Sequence, residues 1–133
     1  MRQLEDEFFV SGQIAVEDVP SLAAQGIRTI VNNRPDGEVP GQPESGMIGI
    51  AAREAGLAYH FVPMSQLSAE AVEETERVLN AAEGPILAFC AAGTRSTYLW
   101  ALARSSGGAD ADTLADKAAA AGYDLTPIRR FMR

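Results

Sequence analysis

One segment of the sequence combines residue types and a spacing that predict nucleophilic chemistry on an anion. The segment is Cys90-Ala91-Ala92-Gly93-Thr94-Arg95-Ser96, in which four residues separate the cysteine from the arginine. An ionised thiol is a strong nucleophile, and a guanidinium can bind two oxygens of an oxyanion at once. The segment therefore predicts a site in which Cys90 attacks a substrate that Arg95 holds.

The elements on either side predict that the segment forms an anion-binding loop. An apolar strand, Ile86 to Phe89, precedes it, and a helix is predicted from Thr97 to Arg104. A loop between a strand and a helix directs backbone N–H groups into one hollow, to which the helix adds its positive end. We expect the anion-binding groups to come from Ala91, Ala92, Gly93, Thr94 and Arg95.

The same surroundings predict an activated thiol. Inward N–H groups and a nearby guanidinium lower a thiol pKa from about 8.5 to about 3.5–7.5, and Ser96 can donate a further hydrogen bond to the thiolate. A lone cysteine after an apolar strand is by itself typical of a buried small hydrophobic residue. The combination of strand, glycine turn, arginine and helix start favours a reactive site over that alternative.

The rest of the chain predicts the scaffold. Apolar strand patterns alternate with helical ones: strands at Phe8–Ile14, Ile27–Asn33, Leu57–Val62 and Ile86–Phe89, and helices between and after them. This alternation is typical of an α/β fold with a central, mostly parallel sheet flanked by helices. No repeat or linker divides the chain, so residues 1–133 are predicted to form a single domain.

Composition excludes several classes of function. The net charge is −7, from 11 Lys and Arg against 18 Asp and Glu, and this disfavours nucleic-acid binding through the overall field. One cysteine and one histidine leave a zinc site without ligands and a disulfide without a partner. We expect no metal and no other cofactor. The sequence contains neither a membrane-spanning apolar run nor a secretory leader, so a cytoplasmic location is expected.

Beyond the cysteine segment, several motifs resemble a known family. They are SGQI at Ser11–Ile14, GIRTIVNNRPDGE at Gly26–Glu38, PGQP at Pro40–Pro43 and AGYDL at Ala121–Leu125. Together with the cysteine segment they resemble the phosphatase-like domain of beta-lactamase hydrolase-like proteins. The resemblance implies a protein tyrosine or dual-specificity phosphatase-like fold. It also implies that a persulfide dioxygenase or another sulfide-oxidising protein is a possible partner, since some relatives are fused to such a module.

Two features separate this chain from the phosphatases that the resemblance implies. Those enzymes place five residues between cysteine and arginine, as opposed to four here, and they supply a general-acid Asp from an upstream loop. The corresponding stretch, Pro63 to Leu67, has no carboxylate. Asp36 and Glu38, after the second main strand, are the nearest substitutes. Arg34 in the same loop is a candidate for anion binding or for pairing with those acids.

These features lead us to expect sulfur transfer, as in rhodanese-type enzymes, through a Cys90 persulfide. Its small anionic substrate would be thiosulfate or a persulfide, whose leaving group needs no protonation. The alternative is hydrolysis of a phosphomonoester through a phosphocysteine on Cys90. A third hypothesis is a module that binds oxyanions without chemistry.

Overall fold

The computed structural model describes all of residues 1–133, in five strands, five α-helices and two 3-10 helices. In chain order the strands and α-helices are β1 (Arg2–Glu5), β2 (Phe8–Ser11), α1 (Val19–Ala24), β3 (Thr29–Asn32), α2 (Ser45–Glu54), β4 (Ala58–Phe61), α3 (Ala69–Ala81), β5 (Ile86–Phe89), α4 (Thr94–Ser106) and α5 (Ala111–Ala120). The 3-10 helices are Val16–Asp18 and Thr126–Phe131. None of the helices combines the length and the apolar character needed to cross a lipid bilayer.

The five strands form one sheet in the order β1-β2-β5-β3-β4. Strands β2, β5, β3 and β4 run parallel, and β1 pairs antiparallel with β2. The predicted mostly parallel sheet is confirmed. The sequence analysis did not predict β1, because only Leu4 of its four residues is buried and an edge strand of this kind shows little apolar alternation.

The register of the parallel strands aligns the ends that carry the candidate site. Phe89 at the end of β5 pairs with Ser11 of β2 on one side and with Asn32 of β3 on the other. Residues that follow these positions therefore emerge at one edge of the sheet. This is the edge where α/β proteins bind ligands, and it brings three separated motifs together.

Strand β5 is held by apolar cores on both of its faces. Ile86 and Ala88 belong to the larger core, which includes residues of α3, α4 and α5. Leu87 and Phe89 belong to the smaller core, which includes residues of α1 and α2. All four residues of the strand are buried, which explains the continuous apolar run. Cys90, the residue after β5, thus follows a strand that is packed on both faces.

Helix α4 begins at Thr94, three residues earlier than the predicted start at Thr97. Gly93, its N-cap, has φ +91, a left-handed conformation that other residues rarely adopt. The left-handed turn at Gly93 leads directly into α4, so no loop residues lie between Gly93 and the helix. As a result, Arg95 and Ser96 belong to the first turn of the helix and not to a flexible loop.

Trp100 is the largest fully buried side chain, and its removal tests the larger core. Its indole Nε1 donates to Glu5 Oε1 at 2.7 Å, and its ring stacks on Phe8 with centroids 6.4 Å apart. We expect Trp100→Ala to lower the free energy of unfolding by about 3–5 kcal/mol in urea denaturation followed by circular dichroism. Phe131→Ala, at a half-exposed ring, should change it by less than about 0.5 kcal/mol. Equal urea midpoints for the two variants would contradict the packing described.

Candidate functional site

Cys90 is the first residue after β5, and its sulfur lies at the base of the loop. The residue is only 1% exposed. The backbone N–H of Gly93 donates to Sγ at 3.1 Å, so the loop folds back over the cysteine. The sulfur is thus surrounded by polar N–H groups at the closed end of the loop.

Two opposing effects set the pKa of Cys90. Burial is the largest single effect and raises the pKa, because the charged thiolate loses water. Hydrogen bonds from the backbone N–H groups of Ser96, Ala92 and Gly93 and from the Ser96 hydroxyl lower it. These bonds prevail together, and the pKa of Cys90 lies below its ordinary value. The geometry stabilises a thiolate.

The Ser96 hydroxyl has two acceptors in reach. It donates to the side-chain oxygen of Asn33 at 2.7 Å, and it also lies close enough to the Cys90 sulfur to stabilise its charge. Asn33 is fixed by its own amide nitrogen, which donates to the Val62 carbonyl at 2.9 Å. A hydroxyl has one proton, so it serves one acceptor at a time, and a charged sulfur is the stronger acceptor.

Arg95 reaches across the mouth of the loop. Its Nη1 donates to Glu38 Oε2 at 2.7 Å and to the Met64 carbonyl at 3.0 Å, and its Nη2 donates to Glu38 Oε1 at 2.8 Å. A guanidinium has five N–H donors, so Nε–H and one Nη2–H remain. These two are parallel and form a second fork. The Cys90 sulfur also lies within hydrogen-bonding reach of the Arg95 side chain.

Glu38 connects Arg95 to Arg34. Arg34 Nε donates to Glu38 Oε1 at 2.8 Å, and Arg34 Nη1 donates to Gln13 Oε1 at 3.2 Å. Hydrogen bonds from Arg95 and Arg34 lower the pKa of Glu38 to about 2, so its carboxylate stays charged at any ordinary pH. Arg34 is therefore a partner of Glu38, one of the two roles the sequence left open.

Asp36 has a structural position that the sequence analysis did not foresee. Its Oδ1 accepts a hydrogen bond from the backbone N–H of Ser45 at 2.8 Å, at the first residue of α2. This contact satisfies an N–H that the helix start would otherwise leave unpaired. The expected role of Asp36 as general acid thus receives no geometric support.

The remaining loop residues lie at its outer surface. Ala91, Ala92 and Thr94 are exposed, whereas Gly93 is buried. Of these, Ala92 and Gly93 direct N–H groups to the sulfur. The structure contains no group of three or more His, Cys, Asp or Glu side chains close enough together to hold a metal ion.

The contact of Glu38 with Arg95 and the contacts of Asn33 and Gln13 were not predicted from the sequence. Glu38 was considered as a proton donor and as a partner of Arg34, but its two hydrogen bonds with Arg95 were not predicted. Asn33 and Gln13 follow strand ends in the NNRP and SGQI motifs. The register of three parallel strands places them at the site, and spacing along the chain does not reveal that register.

Comparisons with known proteins identify related sequences and structures. Residues 1–108 match the family model "Beta-lactamase hydrolase-like protein, phosphatase-like domain". A beta-lactamase hydrolase-like protein of Agrobacterium fabrum is 34% identical over 133 residues, 98% of this chain and 31% of that protein. Its Xylella fastidiosa counterpart is 38% identical over 101 residues, 74% of this chain and 23% of that protein. The chain therefore spans less than a third of these relatives.

Solved structures show the same fold. A candidate phosphatase from Neisseria meningitidis Z2491 has a TM-score of 0.83 at 32% identity and covers 97% of this chain and 93% of its own. Tk-PTP in its active form has a TM-score of 0.73 at 15% identity, covers 97% of this chain and 90% of its own, and shows the fold alone. The predicted phosphatase-like architecture is confirmed. The chain belongs to the phosphatase-like domain family of beta-lactamase hydrolase-like proteins.

Proposed function

We propose that this domain hydrolyses phosphomonoesters through a covalent phosphocysteine on Cys90. The observation that carries the proposal is the sulfur itself, which is buried under three backbone N–H groups beside the Arg95 guanidinium. The family and the Neisseria structure favour phosphate chemistry over the sulfur transfer that loop length led us to expect.

The first step transfers the phosphoryl group to sulfur. The Cys90 thiolate attacks phosphorus, the P–S bond forms, and the bond to the ester oxygen breaks with its electron pair going to the leaving group. The free fork of Arg95 and the loop N–H groups hold the three other phosphoryl oxygens. The Arg95 guanidinium is already fixed by Glu38 and the Met64 carbonyl, so its charge stabilisation needs no reorganisation during the step.

The second step returns the enzyme to its starting state. Water attacks phosphorus, gives its proton to the medium, and the P–S bond breaks with its electron pair returning to Cys90. The bonds from Ser96 and the loop N–H groups that lower the pKa of the thiol also make it a better leaving group here. Inorganic phosphate is then released.

No carboxylic acid in the site is available to protonate a departing alkoxide. Glu38 is held as a carboxylate by two arginines, with a pKa of about 2, and Asp36 caps α2. We therefore propose aryl phosphates, or other esters with stable leaving groups, as the favoured substrate class. Sulfur transfer remains the second candidate, because thiosulfate and persulfides suit the four-residue spacing and their leaving groups need no general acid. A persulfide dioxygenase partner stays a prediction.

Parallel assays separate these activities. The wild-type domain should hydrolyse p-nitrophenyl phosphate and show no transfer of sulfur from thiosulfate to cyanide. Cys90→Ser should reduce turnover to background, since a serine hydroxyl is not ionised at neutral pH. Sulfur transfer without phosphate release would overturn the proposal in favour of the second candidate. If Cys90→Ser lost neither activity, the cysteine mechanism would be excluded.

The missing general acid predicts a steep dependence on the leaving group. Across substituted aryl phosphates, kcat/KM should fall by about 10²-fold or more as the leaving-group pKa rises, the effect that a proton donor otherwise suppresses. Asp36→Asn is the matched variant, because asparagine can still cap α2. It should leave the slope unchanged. A shallow wild-type slope that steepens in Asp36→Asn would instead identify Asp36 as the acid.

The double ion pair predicts that Glu38 positions Arg95. Glu38→Gln keeps the shape of the side chain and removes the charge that both arginines bind, so kcat/KM for p-nitrophenyl phosphate should fall roughly 10- to 100-fold. The control is Glu74→Gln, which removes an exposed ion pair with Arg77 and should have no effect on kinetics. If Glu38→Gln raises kcat/KM and tightens inhibition by inorganic phosphate, Glu38 competes with the substrate and does not position Arg95.

A further inference from the structure

The AGYDL motif places Tyr123 against the outside of the cysteine loop, a contact that the mechanism does not use. Its hydroxyl donates to the Ala92 carbonyl at 3.0 Å. That carbonyl shares its peptide group with the N–H of Gly93, which donates to the Cys90 sulfur at 3.1 Å. One planar peptide is thus bound at both ends, by Tyr123 outside and by the sulfur inside.

We propose that Tyr123 is a positioning residue for the nucleophile: its hydroxyl keeps the Ala92–Gly93 peptide turned so that the N–H faces Cys90. The inference deepens the proposed function, since it concerns the same sulfur, but it does not depend on whether phosphate or sulfur is transferred.

The glycine makes this restraint necessary. Gly93 has φ +91, and glycine populates positive and negative φ almost equally, so the preceding peptide can rotate with little steric cost. A rotated peptide would point its carbonyl oxygen at the thiolate and repel it. The loop therefore needs an outside partner for the Ala92 carbonyl, and Tyr123 is that partner. A Cβ on Gly93 would overlap the Tyr123 hydroxyl, so the two residues are in direct contact.

Gly12 of the SGQI motif lies close to the carbonyl of the neighbouring peptide and leaves no room for a side chain there. A Cβ at Gly12 would lie 2.9 Å from the Ala91 carbonyl oxygen. That oxygen belongs to the peptide whose N–H, on Ala92, also stabilises the sulfur. Two motifs distant in sequence thus meet the outer faces of two consecutive loop peptides.

Arg2 of β1 in turn holds Tyr123. Its guanidinium lies over the tyrosine ring, 5.6 Å from the centroid, and its Nη1 donates to the Ala121 carbonyl at 2.7 Å. A cleft of about 410 Å³ borders Ala92, Thr94 and Tyr123. Water can therefore reach the Ala92 carbonyl if the hydroxyl is removed. Water solvates either orientation of the peptide and so favours neither, whereas the tyrosine favours one.

The charged and titratable groups that face Cys90 keep their protonation states while the thiol, whose pKa lies below its ordinary value, loses its proton. Burial and the nearby Cys90 charge raise the pKa of Tyr123, despite the opposing charge of Arg2, so its hydroxyl stays a donor. Glu38 raises the pKa of Arg95, which stays cationic, and Glu38 itself stays anionic. A change in the titration midpoint of the thiol therefore reports the hydrogen bonds to the sulfur.

The experiment is a pH titration of the thiolate by its ultraviolet absorbance, with Cys90→Ser as the blank. The chain has one cysteine, so the signal belongs to Cys90 alone. Tyr123→Phe removes one oxygen atom and should raise the midpoint, leaving about three- to tenfold less thiolate at pH values below it. The sign follows because a lost donor destabilises the charged form. Tyr98→Phe on α4, another half-buried tyrosine, should not move the midpoint.

Two further variants test the restraint without touching the hydroxyl. Gly12→Ala forces the Ala91 carbonyl to move, and Arg2→Met loosens Tyr123; both should raise the midpoint. Gly46→Ala on α2, where a Cβ meets nothing, is the glycine control. A low wild-type midpoint that stays unchanged in Tyr123→Phe, Gly12→Ala and Arg2→Met overturns this inference alone. A wild-type midpoint at the value of a free thiol removes both the inference and the proposed function.

Discussion

The site depends on stabilising a negative charge on a sulfur that is almost fully removed from water. Burial alone would keep Cys90 protonated, so the protein must surround it with hydrogen-bond donors. Peptide N–H groups can supply these donors at a small cost in conformational entropy. This requires that the strand, the turn and the helix follow one another without additional loop residues. Strand β5, fixed between two cores, and the immediate start of α4 after Gly93 provide this sequence of elements.

The ion pairs around Glu38 leave the candidate site without a net positive charge. Two arginines share one carboxylate, so together with the thiolate the group carries no net charge. In the proposed reaction, binding of an anion therefore relies on directed donors, namely the free fork of Arg95 and the loop N–H groups, more than on a positive field. Such donors act most strongly where charge develops during reaction. A neutral group of this kind also limits the affinity for the phosphate product.

The fold and the position of the cysteine loop were accessible from the sequence because local patterns encode them. The apolar β5 run and the glycine before α4 predicted the loop that begins at Cys90, whereas Arg95, predicted to lie in that loop, belongs to the first turn of α4. The contact between Glu38 and Arg95 and the contacts of Asn33 and Tyr123 were not accessible. They depend on strand register and on the packing of a C-terminal segment against a loop some thirty residues earlier. Asp36 is a different case. The sequence suggested its carboxyl group as the acid, but in the structure this group accepts a hydrogen bond from the backbone at the start of α2.

Under the proposed function, the nature of the leaving group, more than the fold, limits which substrates this site can turn over. A thiolate can attack phosphorus or an outer sulfur once the loop N–H groups and Arg95 hold the substrate anion. Both attacks begin from the same arrangement of Cys90 and Arg95. Protonation of the departing atom requires a separate acid. The carboxylate of Glu38 is paired with Arg34 and Arg95, and that of Asp36 accepts a hydrogen bond from the start of α2. Substrates must then bring a leaving group that is stable as an anion. Among phosphomonoesters this condition selects aryl over alkyl esters, because a phenolate is far more stable than an alkoxide.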